Sequence, residues 1–146
     1  MSRDISLYLE ILKSSGFKLT PKRRSVIGLF LKEKRALAPQ EVYDRIRRVI
    51  RPLGLPTIYR ILEELSSIGI LVSLVSDERL LSYALCAKPR AHHHHFICRS
   101  CKRIEEVDYC GLEAAEKTIQ KKLGCRIDSH LFQVEGICSN CLNKSR

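Results

Sequence analysis

The sequence predicts an α+β chain of two small domains, and three observations carry that expectation. Apolar residues recur at helical spacing through the first part of the chain, two β-like runs around a polar turn follow, and two Cys-x-x-Cys pairs, Cys98/Cys101 and Cys138/Cys141, bracket the second part. At 146 residues and 45% hydrophobic content, the chain is long enough for one ordinary domain or two small ones.

Asp4 is placed to cap a first helix on which Ile5, Leu9 and Leu12 share a face, with Gly16 to end it. Thr20 caps a second helix. Pro21 fits its first turn, where the missing N–H costs nothing, and Val26, Ile27, Leu29 and Phe30 supply the apolar side. A third helix is expected from about Pro39 through Val42, Tyr43, Ile46, Val49 and Ile50, stopping before Pro52, with Arg45, Arg47, Arg48 and Arg51 at the remaining positions. The fourth follows Gly54-Leu55-Pro56 and carries Thr57 to Leu62, Leu65 and Ile68, with Gly69 just past its end. Ile70 to Val75 and Leu80 to Leu85 then form a hairpin around Ser76-Asp77-Glu78-Arg79. Helices followed by a hairpin describe an N-terminal winged helix-turn-helix domain over residues 1–85, whose last helix enters a major groove.

Residues 86–91, Cys-Ala-Lys-Pro-Arg-Ala, break both periodicities and read as a hinge. In residues 92–146, Phe96-Ile97, Ile104 to Val107 and Leu131 to Val134 are strand candidates, and Leu112 to Leu123 is an amphipathic helix ending at Gly124. This is a small α/β domain with few apolar residues. A metal staple and a dimer partner would each help so thin a core.

The formal net charge of +10 favours a polyanionic partner such as nucleic acid, against the alternative of a solvated basic surface. No apolar run reaches the ~18 residues needed to span a bilayer, and Met1-Ser2-Arg3-Asp4 does not open a signal peptide, so a cytoplasmic protein without a membrane partner is expected. In a reducing compartment, seven cysteines, four of them in paired spacing, favour metal ligation over disulfides.

Each Cys-x-x-Cys makes a tight knuckle that aims two sulfurs at one ion. Cys98, Cys101, Cys138 and Cys141 therefore suit a structural Zn²⁺, a dithiol redox motif being the alternative. The run His92 to His95 would alternate faces on a strand, pairing His93 with His95 and His92 with His94. Cys86 or Glu106 beside the first pair makes a good Zn²⁺ shell, and Glu113 with His130 could complete the second. A lone cysteine such as Cys86 is commonly a small buried hydrophobe, but its place upstream of His93 and His95 favours a ligand. Cys110 and Cys125 have no comparable setting and are taken as structural or incidental. No His-Glu-x-x-His and no paired catalytic carboxylates occur, so an enzyme such as a zinc hydrolase is not expected.

Thr57, Tyr59 and Arg60 lie on the expected recognition helix, while Lys18, Lys22, Arg23 and Arg24 gather at the start of the second helix. Arginine reads guanine bidentately and a tyrosine ring packs on a thymine methyl, while the remaining cations would hold phosphates. Tyr59 has an alternative in core packing beside Ile58, Ile61 and Leu62.

Leu19-Thr20-Pro21-Lys22-Arg23, Glu41-Val42-Tyr43, Leu55-Pro56-Thr57-Ile58-Tyr59-Arg60-Ile61-Leu62, His92 to Cys101 and Gly136-Ile137-Cys138 to Cys141 together resemble the ferric uptake regulator family of metal-responsive repressors over nearly the full chain. The resemblance implies a homodimer with a C-terminal dimerisation domain that binds a palindromic operator in double-stranded DNA when a regulatory metal is present. It also implies a structural zinc at Cys98, Cys101, Cys138 and Cys141, a regulatory site at His93, His95 and Glu106, a further site at His92, His94, Glu113 and His130, and base contacts from Tyr59 and Arg60. Within the family, Cys86 with the four histidines is most similar to the zinc uptake regulator branch, so the expected regulatory ion is Zn²⁺, with Fe²⁺ or Mn²⁺ sensing, or peroxide sensing, as the alternative. Three departures stand out. Ala36 occupies the place from which iron and peroxide sensors donate a histidine, Val72-Ser73 replaces a ligand common in the zinc branch, and Lys102 replaces the usual glycine after the second knuckle cysteine.

Overall fold

The structure, a computed structural model, describes residues 4–76, 79–89, 91–130 and 132–144, and the chain divides into one unit over Met1–Arg90 and a second over Ala91–Arg146. In the first, single residues set the helix ends. Helix α1 (Ile5–Ser14) begins where the Asp4 carboxylate accepts the Ser6 N–H at 3.0 Å, and Gly16 turns the chain at φ +84°. Its inward face is Tyr8, Ile11 and Leu12; of the expected stripe Leu12 is fully buried, while Ile5 and Leu9 are partly buried against the same core. The Tyr8 hydroxyl stays satisfied by donating to the Cys86 carbonyl at 3.1 Å.

Helix α2 (Pro21–Lys32) starts where Thr20 Oγ1 accepts the Arg23 N–H at 3.3 Å. Helix α3 (Pro39–Ile46) is shorter than the apolar spacing suggests. Beyond Ile46 the bonding tightens, with the Val49 N–H on the Ile46 carbonyl at 3.0 Å, and Val49 is 79% exposed. Clustered Arg47, Arg48 and Arg51 repel one another on a continued helix, and Pro52 bars helical geometry at Arg51. Helix α4 (Leu55–Ser67) ends in a Schellman turn, the Gly69 N–H on Ser66 O and the Ile70 N–H on Leu65 O, both at 3.0 Å. Gly69 at φ +76° supplies the left-handed residue this closure requires.

Strands β1 (Leu71–Val75) and β2 (Leu81–Leu85) pair antiparallel from Leu71↔Leu85 to Val75↔Leu81. Asp77 and Glu78 of the expected turn lie outside the described residues. Leu37 adds one further rung by exchanging backbone bonds with Tyr83 at 2.8 and 2.9 Å. Phe30, Leu37, Ile58, Leu62, Leu65 and Ile70 are fully buried in one apolar cluster fed by all these elements. Helices and wing therefore form an N-terminal winged-helix domain.

The second unit comprises β3 (His94–Cys98), β4 (Ile104–Val107), α5 (Glu113–Leu123), β5 (Gln133–Gly136) and α6 (Ser139–Lys144). Its sheet order is β4-β3-β5, with β3 antiparallel to β4 and parallel to β5. Strand β3 starts inside the histidine run, earlier than Phe96, and β5 starts two residues later than expected. Leu131 lies outside the described residues. Helix α6 was not expected; it starts at Ser139 between the last two cysteines, where the Cys141 N–H reaches the Cys138 carbonyl at 3.0 Å. At Gly136 a Cβ would meet the Phe96 ring at 3.1 Å, so the close pairing of β5 with β3 depends on that glycine. Helix α5 has no buried residue. Buried in this unit, among the described residues, are His94, Ile97, Cys98 and Cys138. No helix among the described residues is long and apolar enough to cross a membrane.

Candidate metal centres and nucleic-acid interface

Both knuckles of the second unit close by backbone geometry. The Lys102 N–H returns to Cys98 O and the Cys98 N–H to Arg103 O, each at 2.9 Å, while the Arg99 N–H ties the first knuckle to Gly136 O at 2.8 Å. These bonds carry Cys98 and Cys101 toward Cys138 and Cys141, and the four sulfurs lie within 4.8 Å of one another as free thiols. Lys102, where a glycine is usual, meets the turn at φ +60°. Burial pushes the Cys98 thiol up, but hydrogen bonds from the Cys101 and Cys138 backbones, the Cys101 side chain and the Ser100 backbone outweigh it and bring it down to about 6. One such bond is the Cys138 N–H on Cys98 Sγ at 3.4 Å. Crowded thiols with one already poised as thiolate are the donor set of a closed tetrahedral Zn²⁺ shell.

The strand alternation expected for the histidines is present. His93 and His95 stand on one face, Nε2 to Nε2 at 3.1 Å, with His95 opposite Glu106 across the β3–β4 ladder. Burial, followed by repulsion from His93, lowers the His95 pKa and favours the neutral, ligating imidazole. On the other face His92, His94 and His130 meet, with ring centroids 4.8 to 5.3 Å apart. His94 is 5% exposed and its buried Nε2 has no hydrogen-bond partner, an orphaned acceptor whose chemistry suits metal ligation. Burial, then His92 and His130, hold this ring below the ordinary histidine range. The fourth donor within 4.8 Å of these rings is Cys110 Sγ. Glu113, expected here, is exposed on the first turn of α5 and outside that group. Cys86 directly follows β2 in the first unit, 6% exposed, its N–H bonded to Ile70 O at 3.0 Å.

On α4, Ile58, Ile61, Leu62 and Leu65 face inward, leaving Tyr59 41% exposed and the Arg60 side chain 70% exposed. Tyr59 is thus outside the core. Thr57 and Arg60 line a cleft of about 420 Å³ together with Thr20, Pro21, Lys22, Arg23, Ile50 and Ile61, so the starts of α2 and α4 flank one depression. Lys18 is exposed nearby in sequence. Arg23 is already engaged: Nε and Nη2 donate to Glu64 Oε2 at 3.0 and 2.8 Å, Nη1 donates to Lys18 O at 2.8 Å, and the guanidinium lies 5.3 Å from the Phe17 ring centroid. It therefore braces the start of α2 against α4. Sequence reasoning missed Glu64, whose partner is 41 residues away, and took Cys110, which carries no spacing motif but joins the donor group of His92, His94 and His130, as structural or incidental.

Known proteins are similar to this chain over most of its length. The model of the ferric uptake regulator family matches residues 14–135. The ferric uptake regulation protein of Bacillus subtilis (strain 168) is 31% identical over 91% of this chain and 91% of its own length. A zinc uptake regulator solved in complex with zinc and DNA superposes with a TM-score of 0.80 at 25% identity, covering 97% of this chain and 94% of that one. The Helicobacter pylori ferric uptake regulator, described with three functional metal-binding sites, gives 0.65 at 25% identity over 97% and 95%. Matched by the family model over most of its length and by a relative at 31% identity, this chain belongs to the ferric uptake regulator family, metal-responsive transcription regulators rather than enzymes.

Proposed function

We propose that this chain is a zinc-sensing repressor that acts in the cytoplasm as a homodimer on a palindromic operator in double-stranded DNA. The observation that carries the zinc reading is the donor chemistry of the second unit: four convergent thiols and histidines held toward the neutral form. Sulfur with imidazole suits Zn²⁺, whereas Mn²⁺ and Mg²⁺ sites are built from oxygen. Buried Ala36, where iron and peroxide sensors donate a histidine, points the same way, as does the neighbour solved with zinc and DNA. The curated relatives named for ferric uptake favour iron as the second reading.

In the proposed division of labour, Cys98, Cys101, Cys138 and Cys141 hold a permanent Zn²⁺ that folds the second unit. His93, His95 and Glu106, with Cys86 from the end of β2, hold the exchangeable ion, and residues 86–91 act as the hinge. His92, His94 and His130 belong to a further centre. A metal that binds the DNA-competent state ~100-fold better than the other supplies about 2.7 kcal/mol of bias, enough to switch occupancy. Tyr59, Arg60 and Thr57 then read bases from the exposed side of α4, while Lys18 and Lys22 hold phosphates. Arg23 keeps α2 and α4 in register for them.

The test is operator selection from genomic DNA in parallel with Zn²⁺, Fe²⁺, Mn²⁺ and chelator. A palindromic sequence enriched by Zn²⁺ alone is expected, with affinity falling steeply as salt rises. Cys86→Ala should weaken zinc-dependent enrichment while leaving the structural zinc in place. Enrichment by Fe²⁺ in preference to Zn²⁺ would overturn the zinc reading.

A further inference from the structure

We infer that Cys110 is a ligand of the further metal centre, which makes it a three-histidine, one-thiolate shell in place of the carboxylate shell that Glu113 would complete. The inference rests on the proposed existence of that centre and fixes its chemistry. The loop from Asp108 to Leu112 carries Cys110 to His130, with Sγ 3.5 Å from Nε2, and the donors of His92, His94, Cys110 and His130 all lie within 4.8 Å of one another. Glu113 sits one residue into α5 and is solvent-exposed.

Two further observations show that the imidazoles are aimed. The Glu116 carboxylate lies 2.9 Å from His130 Nδ1, the outer-shell arrangement that fixes a ligating ring and turns its other nitrogen toward the ion. Glu116 is thus a positioning residue, one helical turn beyond Glu113. His94 presents a buried Nε2 without a hydrogen-bond partner, and the Phe132 ring packs edge-on against its ring at 5.0 Å. Three imidazole nitrogens, two of them on rings held by neighbours, and one sulfur make a four-donor set for a borderline-soft ion. The thiolate selects Zn²⁺, or Co²⁺ as its spectroscopic substitute, against Mn²⁺ and Mg²⁺.

The experiment uses the full chain carrying Cys86→Ala, its four-cysteine centre preloaded with zinc, titrated with Co²⁺. Expected are tetrahedral cobalt d–d bands together with a near-ultraviolet thiolate-to-cobalt charge-transfer band, displaced by Zn²⁺ and untouched by excess Mn²⁺. Cys110→Ser should remove the charge-transfer band, Glu113→Gln should keep it, and Glu116→Gln should keep it while weakening cobalt binding by roughly tenfold to a hundredfold. His94→Ala separates the two levels of the argument. If it abolishes cobalt binding while Cys110→Ser leaves the charge-transfer band intact, the centre exists and the cysteine assignment is overturned. If neither substitution changes the spectrum, the centre itself is overturned.

Discussion

The two units of this chain are stabilised by different physics. The first buries Tyr8, Phe30, Leu37, Ile58, Leu62 and Ile70 in a continuous apolar cluster, at about 1.5 to 3 kcal/mol for each large aliphatic or phenyl side chain removed from water. Among its described residues the second buries Ile97, two candidate zinc ligands and a candidate histidine ligand, while α5 has no fully buried residue. Ile119, Leu123 and Tyr109 of this unit stand exposed at 40%, 68% and 73%. A core made of ligands is stable when its ion is present. On the proposed reading, the unit that would report on metal is also the one that would need metal to stay folded, whereas the winged-helix unit has an apolar core of its own.

The largest expected effect breaks the second unit alone. Stripping the structural zinc, or substituting Cys138→Ser, should remove on the order of 10 kcal/mol of coupled binding and folding. Hydrogen exchange on the full chain should then show β3, β4 and β5 losing protection while α2 and α4 keep theirs. Equal loss in both units would sink the contrast. The converse change is Phe30→Ala, at a side chain with no exposure, expected to cost about 3 to 5 kcal/mol in urea unfolding followed by helical signal. Zinc content should stay at its wild-type value.

The same contrast explains what could be read in advance. Helix ends were legible because single residues set them: Asp4 and Thr20 cap with their own side chains, and Gly69 supplies a positive φ. The convergence of the four cysteines was legible because Cys-x-x-Cys spacing itself sets the knuckle geometry. Helix α3 was overextended because the apolar period through Val49 and Ile50 does not register the repulsion of Arg47, Arg48 and Arg51. Cys110 reads as structural or incidental in the sequence because a loop position has no period, whereas Glu113 falls on a countable helix. The Arg23–Glu64 brace joins two helices, and no local pattern announces a partner that distant.

A smaller effect sharpens the account of the second unit. Lys102 holds φ +60°, a left-handed conformation that costs a residue with a side chain about 1 kcal/mol and glycine nothing. Lys102→Gly should therefore bind the structural zinc about fivefold more tightly in competition with a chelator, the equivalent of about 1 kcal/mol. An unchanged or weaker affinity would mean that the lysine side chain contributes to the knuckle by contacts that offset the strain.

The smallest effect separates the acid responses of the two units. Burial raises the Glu41 pKa, but the hydrogen bond from Arg35 at 2.8 Å, the Ala38 N–H at 2.9 Å and the Arg35 and Arg45 charges outweigh it and hold the carboxyl below the usual range. A depressed folded pKa stabilises the first unit fully above the ordinary carboxylate value of 4.5, and that contribution is lost as pH falls toward the folded value. The Glu41 side chain is 42% exposed, so solvent screening keeps the effect below about 1 kcal/mol. Glu41→Gln keeps an acceptor for the Ala38 N–H and removes the charge. Unfolding of the α3 region, followed by hydrogen exchange, should be easier than wild type near neutral pH, and the difference should vanish in acid. The second unit loses stability in acid by a different route, protonation of the thiolates that hold its ion, and there the substitution should change nothing. A shift in the acid release of zinc in Glu41→Gln would show that the two units do not titrate independently.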